Sequence, residues 1–167
     1  GRGLAGPNLC HEGVAGLPAA AVVASSDAPA AVMWRDALST GSFRAYTSND
    51  LTGVELAGAL KNIVAIAAGA ASGLQFGANA VATIMTRGLA EMARLGEAAG
   101  AQPGSFSGLA GLGALVLTCW HPSARNRRDG ALTVRGHTPD QATHGAGPAR
   151  EGLPTGHALR VAAPLPG

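Results

Sequence analysis

Gly53-Val54-Glu55-Leu56-Ala57-Gly58-Ala59-Leu60-Lys61-Asn62 carries the chain's one lysine in a run of small apolar residues. The other basic residues, eleven of twelve, are arginine. An Arg-, Ala-, Gly- and Pro-rich composition fits a GC-rich coding background, and against it a single lysine is informative. Arginine keeps its proton inside proteins, whereas lysine releases it when desolvated. In a helix the neighbours one turn from Lys61 are Ala57, Gly58, Val64 and Ala65. They leave room beside the ammonium group and keep water scarce, which suits general acid–base work on a carbonyl or hydroxyl. The plainer reading is a lysine that snorkels from a helix surface. Asn62 either hydrogen-bonds a substrate oxygen or caps an adjacent turn.

The 167 residues are enough for one modest domain with a real core. Apolar residues make up 47% but aromatics only 4%, so Ala, Val, Leu and Ile must build that core. With 25 glycines, close helix–helix approach is expected rather than bulky packing. The net charge of +2 comes from scattered arginines with no aromatic platforms between them, which speaks against a nucleic-acid partner. No charged-then-apolar leader opens the sequence, and a cytoplasmic location is expected. Asn62 to Thr86 carries no charge, but Gly73-Leu74-Gln75-Phe76-Gly77-Ala78-Asn79 interrupts it. Two helices joined by a turn are expected there, not a membrane span.

The pattern changes near Asn49. Upstream, Ala19 to Ser25 reads as a buried strand, Asp27 to Leu38 as a helix capped by Asp27, and Ser42 to Thr47 as a second strand. This strand–helix–strand piece leaves a sheet edge exposed, which predicts self-association. Downstream, helices are expected from Asp50–Val54 to Ala71 and from Asn79 to Ala99. Val81, Ile84, Met85, Met92 and Leu95 share one side of the latter, and Arg87 is placed to pair with Glu91. A third helix is expected from Ser107 to Cys119, a basic turn from Ala124 to Gly130, and a short helix near Glu151–Val161. The expected fold is therefore mainly α, with residues 1–48 forming an α/β part and residues 49–167 a helical domain.

Ser123-Ala124-Arg125-Asn126-Arg127-Arg128 offers three guanidinium groups and an amide to a phosphate, and a solvated basic loop has the same composition. Gly108-x-x-Gly111-x-Gly113 lacks the order and the preceding strand of a dinucleotide loop, so close packing explains it. Cys10 and Cys119 form no CxxC pair, and the five histidines show no ligand spacing, so no metal site is expected.

Several motifs occur in one order: Asp50 to Gly69, Thr86-Arg87-Gly88-Leu89-Ala90-Glu91-Met92, Gly108 to Gly113, Leu117-Thr118-Cys119, Arg125-Asn126-Arg127-Arg128 and Glu151-Gly152. Together with Gly6-Pro7-Asn8 they resemble bacterial-type NAD(P)-dependent glycerol-3-phosphate dehydrogenase, from about Ala5 to about Gly152. The resemblance implies a helical substrate domain preceded by the end of a Rossmann sheet. It implies reduction of dihydroxyacetone phosphate to sn-glycerol 3-phosphate with NAD or NADP as cofactor, feeding phospholipid synthesis. Lys61 then matches the catalytic proton-transferring lysine. Gly6, Lys61, Arg125 and Asn126 match substrate contacts, and Arg125 and Glu151 match residues at the cofactor. The departures are also specific. The family's glycine-rich dinucleotide loop lies upstream of everything here, Ala114 replaces a substrate-site Asp, and Ala124 replaces a serine. A partial chain, inactive alone, is expected; the alternative is a non-catalytic remnant or helical interaction module.

Overall fold

A run of Ala and Val with turn residues on either side sets the centre of the sheet. The structure is a computed structural model that describes residues 1–137, Thr155 and Ala158. Strand β1 spans Arg2–Ala5, helix α1 Cys10–Val14, β2 Ala19–Ser25, α2 Ala28–Leu38 and β3 Phe43–Ser48. The sheet order is β1-β2-β3. Strands β2 and β3 are parallel with Ala21 opposite Ala45, and α2 is their crossover. Asp27 caps α2, its carboxylate accepting from the Ala30 N–H at 3.3 Å. These elements follow the sequence expectation. Strand β1, antiparallel to β2 with Leu4 opposite Val23, does not, nor does α1. Arg-Gly-Leu-Ala is too short to show alternation, and only pairing with β2 makes it a strand.

The rest is helical, and the mainly α expectation holds. Helix α3 covers Leu51–Gly73, α4 Gly77–Ala98, α5 Pro103–Ser107, α6 Ala114–Trp120 and α7 Arg125–Thr133. Thr155 and Ala158 are helical too; the other residues of the short helix expected near 151–161 lie outside the described residues. Three expectations are corrected. The single helix over Ser107–Cys119 is broken at Gly108, and a π turn, Leu109–Gly113, leads into α6. The glycines permit that wider turn. The basic turn at Ala124–Gly130 is instead α7, because the run Arg125–Asp129 contains no helix breaker. On α4, Val81 and Met92 are buried but Leu95 is 41% exposed, and Glu91 pairs with Arg94 rather than Arg87.

The chain separates into two compact units, Gly1–Gly58 with Leu89–Leu117, and Ala59–Gly88 with Thr118–Gly167. In the first, Ala24, Val54 and Ala110 form a buried cluster against Ala5, Val22 and Leu51. Phe106 is almost fully buried, and a Cβ on Gly96 would lie 2.1 Å from its ring. Asp50 ties the unit together. Its carboxylate accepts from the N–H of Gly53 at 2.9 Å, capping α3, and from the N–H of Gln102 at 2.9 Å and the hydroxyl of Ser105 at 2.5 Å. Burial raises its carboxyl, but the bonds from Ser105, Gly53 and Gln102 outweigh that and hold it below its ordinary value.

In the second unit, glycines bring backbones together. A Cβ on Gly69 of α3 would stand 1.9 Å from the Arg127 carbonyl oxygen of α7, and one on Gly130 of α7 would stand 2.0 Å from the Ile66 carbonyl oxygen. A Cβ on Gly88 of α4 would strike Val64 at 2.6 Å. This is the close approach expected from the glycine and alanine content. Helix α3 has the length and mean hydropathy of a membrane span, 1.4 over its most apolar window, and half of that window is buried within the protein. The expected break between α3 and α4 is present, with Gln75 at φ 60° and Gly77 at φ 84°.

Candidate functional site

Helix α3 presents Lys61 and Asn62 side by side. The Gly69 and Gly130 crossing brings the backbones of α3 and α7 into contact one to two turns further on. Asn62 is 2% exposed. Its Oδ1 accepts from Nδ2 of Asn126 at 3.0 Å, so the amide beside the lysine is joined to the first turn of α7. Lys61 is half-buried. Cys119, on α6, has no exposed surface; burial pushes its thiol up to about 11, while the charges of Arg127 and Lys61 pull it part of the way back.

The start of α7 suits an anion. Its N-cap is Ala124, which provides no side-chain hydrogen bond, so the first-turn N–H groups are not filled from the cap. The positive end of the helix dipole and the exposed Arg125 side chain add favourable charge there. Just before it, the Ser123 hydroxyl and His121 Nδ1 share a hydrogen bond at 2.7 Å. His121 is half-buried. The second unit thus joins Asn62 to Asn126, with Lys61 and Arg125 the residues that precede them in α3 and α7. Asn62 was legible only as a residue adjacent to Lys61; its pairing with Asn126, 64 residues away, left no trace in the sequence.

Gly6, in the first unit, stands where close approach is required. A Cβ there would lie 2.7 Å from both the Ala20 carbonyl oxygen and the Ala21 Cα of β2. A Cβ on Gly113, at the end of the π turn, would lie 3.3 Å from the Pro7 ring. Ala114 follows, 1% exposed, at the position where the resemblance places an Asp. Glu151 lies outside the described residues.

Residues 50–163 match the family model for the C-terminus of NAD-dependent glycerol-3-phosphate dehydrogenase. This chain belongs to that family. It is 52% identical over 155 residues to glycerol-3-phosphate dehydrogenase [NAD(P)+] of Symbiobacterium thermophilum, covering 93% of this chain and 45% of that protein. It is 58% identical over 127 residues to the same enzyme of a Synechococcus species, covering 76% and 40%. The crystal structure of glycerol-3-phosphate dehydrogenase from Coxiella burnetii superposes with a TM-score of 0.91 at 41% identity, over 96% of this chain and 50% of that one. The chain spans about half the length of the curated relatives it matches.

The family is NAD-dependent, but the described residues do not fit a dinucleotide. The one parallel β–α–β crossover among them, β2–α2–β3, is where a pyrophosphate would sit against a helix N-terminus. Here the Asp27 carboxylate already occupies that end, and Pro29, in the first turn, has no N–H to offer. The turn after β1 leads into a helix of only five residues, on a strand antiparallel to its neighbour.

Proposed function

We propose that these residues are the substrate-holding part of a glycerol-3-phosphate dehydrogenase, acting on dihydroxyacetone phosphate and sn-glycerol 3-phosphate. The observation that carries this reading is the Asn126–Asn62 hydrogen bond, which links the anion-favouring start of α7 to the residue beside Lys61. In this reading Arg125 and Asn126 grip the phosphate, with the guanidinium bidentate and charge-assisted. Lys61 delivers a proton to the carbonyl oxygen as that oxygen gains charge, and takes it back in the reverse direction. Gly6 contacts substrate through its backbone, and Arg125 and Glu151 lie toward the cofactor, NAD or NADP. The functional division falls near Asn49, with residues 1–48 belonging to a nucleotide-binding part and 49–167 to the substrate domain. The location is cytoplasmic, and the exposed sheet edge favours self-association.

Two structural features favour a second reading. Ala114 is buried and Ala124 leaves α7 without a side-chain cap, where the family resemblance places Asp and Ser. A non-catalytic remnant that keeps the helical scaffold would tolerate both changes.

Calorimetric titration separates the two. The 167-residue chain is expected to bind glycerol 3-phosphate weakly, to lose that binding in Arg125→Ala, and not to bind NADH or turn over dihydroxyacetone phosphate. Equal heats from Arg125→Ala and the parent would eliminate the substrate-domain reading. Gain of affinity in the Ala114→Asp, Ala124→Ser double variant would show a weakened site rather than an abandoned one.

A further inference from the structure

A groove of about 610 Å³ opens in the second unit, and Cys119, whose thiol feels the charge of Lys61, is part of its wall. Its walls include Ser72, Gln75, Ala78, Val81, Trp120 and Arg127, and neither Lys61, Asn62, Arg125 nor Asn126 is among them. Two observations point to a ligand. First, Arg127 is the only charged residue of the wall among the described residues. Its Nη2 donates a long 3.4 Å bond to the Ser72 hydroxyl, and its buried Nε has no hydrogen-bond partner among the described residues. No carboxylate among the described residues forms an ion pair with it. A guanidinium held in this way is under-satisfied, and a bidentate oxyanion is its natural complement. Second, the remaining wall is largely apolar, with Val81 buried and Trp120 65% exposed at the margin.

We propose that this groove binds an amphipathic oxyanion, a carboxylate or phosphate head on Arg127 with a short alkyl body lying along Val81, Ala78 and Trp120. The apolar wall sets this ligand apart from glycerol 3-phosphate, whose body is polar. The Gln75 amide is placed to supply a hydrogen bond beside the head, the Ser72 hydroxyl proton being already given to the Ala68 carbonyl. The assignment stands independently of the role of Lys61.

The test uses the full chain carrying Trp34→Phe, so that Trp120 is the one fluorescent tryptophan. Octanoate, octyl phosphate, octylammonium and inorganic phosphate are titrated separately. Saturable change of Trp120 emission with octanoate or octyl phosphate is expected, and the tighter of the two names the head group. Arg127→Gln is expected to weaken binding about tenfold or more. Because Arg127 also packs on α3, a second variant is Ala78→Glu at the exposed rim, whose carboxylate competes for the guanidinium and is expected to weaken binding similarly with unchanged circular dichroism. Equal binding of octylammonium, equal binding of inorganic phosphate alone, or parental affinity in Ala78→Glu would overturn the proposal.

Discussion

Asn126 Nδ2 donates to Asn62 Oδ1 at 3.0 Å, joining the first turn of α7 to the middle of α3 beside Lys61. Asn62 is 2% exposed, so its acceptor cannot turn to water if the partner is lost. Asn62→Ala removes this bond together with the buried side chain that makes it, and should cost about 1–3 kcal/mol of stability. Asn62→Asp keeps the acceptor but places a negative charge at the phosphate end. Glycerol 3-phosphate affinity, read by calorimetry, should fall about tenfold or more in Asn62→Asp, while its melting temperature changes less than that of Asn62→Ala. Undiminished affinity in Asn62→Asp would detach this pair from the phosphate site.

The α3–α7 crossing should be intolerant of a single methyl group. Gly130→Ala would set a Cβ 2.0 Å from the Ile66 carbonyl oxygen, and backbone cannot yield cheaply there. A loss of about 1–3 kcal/mol or more is expected in urea unfolding. Gly104→Ala, in α5 with nothing within 4 Å of the new Cβ, is the control and should be neutral or stabilising by up to about 1 kcal/mol. Similar midpoints for the two variants would refute backbone-to-backbone packing.

Asp50 predicts an acid limb in stability. Its folded carboxyl lies below its ordinary value of 3.8, so the unfolded chain takes up its proton first as pH falls. The stabilisation is complete well above 3.8 and is lost as pH drops through the lower folded value. Asp50→Asn should flatten this limb below about pH 5 and lower stability at pH 7 by about 1–2 kcal/mol, by weakening the α3 cap. An unchanged limb in Asp50→Asn would assign it to other carboxylates.

The two cysteines should differ in reactivity. Cys10 is exposed, whereas Cys119 is buried with its thiol pushed up to about 11. A disulfide reagent at pH 8 should modify Cys10 promptly and Cys119 more than about a hundredfold more slowly, until the chain unfolds. The raised thiol also removes stability as pH climbs from 9.0 toward 11, because only the unfolded chain then ionises readily. Rapid modification of both thiols in the folded chain would contradict the burial of Cys119.

The sequence alone determined the central strand, its capped crossover helix, the long α3 and α4, and the break between them. Each is a local matter: an apolar run with turn residues at its ends, Asp27 ahead of a helical pattern, a glycine-rich interruption. Lys61 was legible for a similar reason, as the one lysine among arginines, with small residues a turn away. Only the tertiary structure decided the rest. Four residues became β1 because β2 lay beside them. Asp50 became a three-bond staple because Gln102 and Ser105 return to it from 52 and 55 residues away. Asn62 met Asn126 because Gly69 and Gly130 let two helices touch. Hydrogen bonds and backbone contacts between distant residues follow no local period, so no window of sequence contains them.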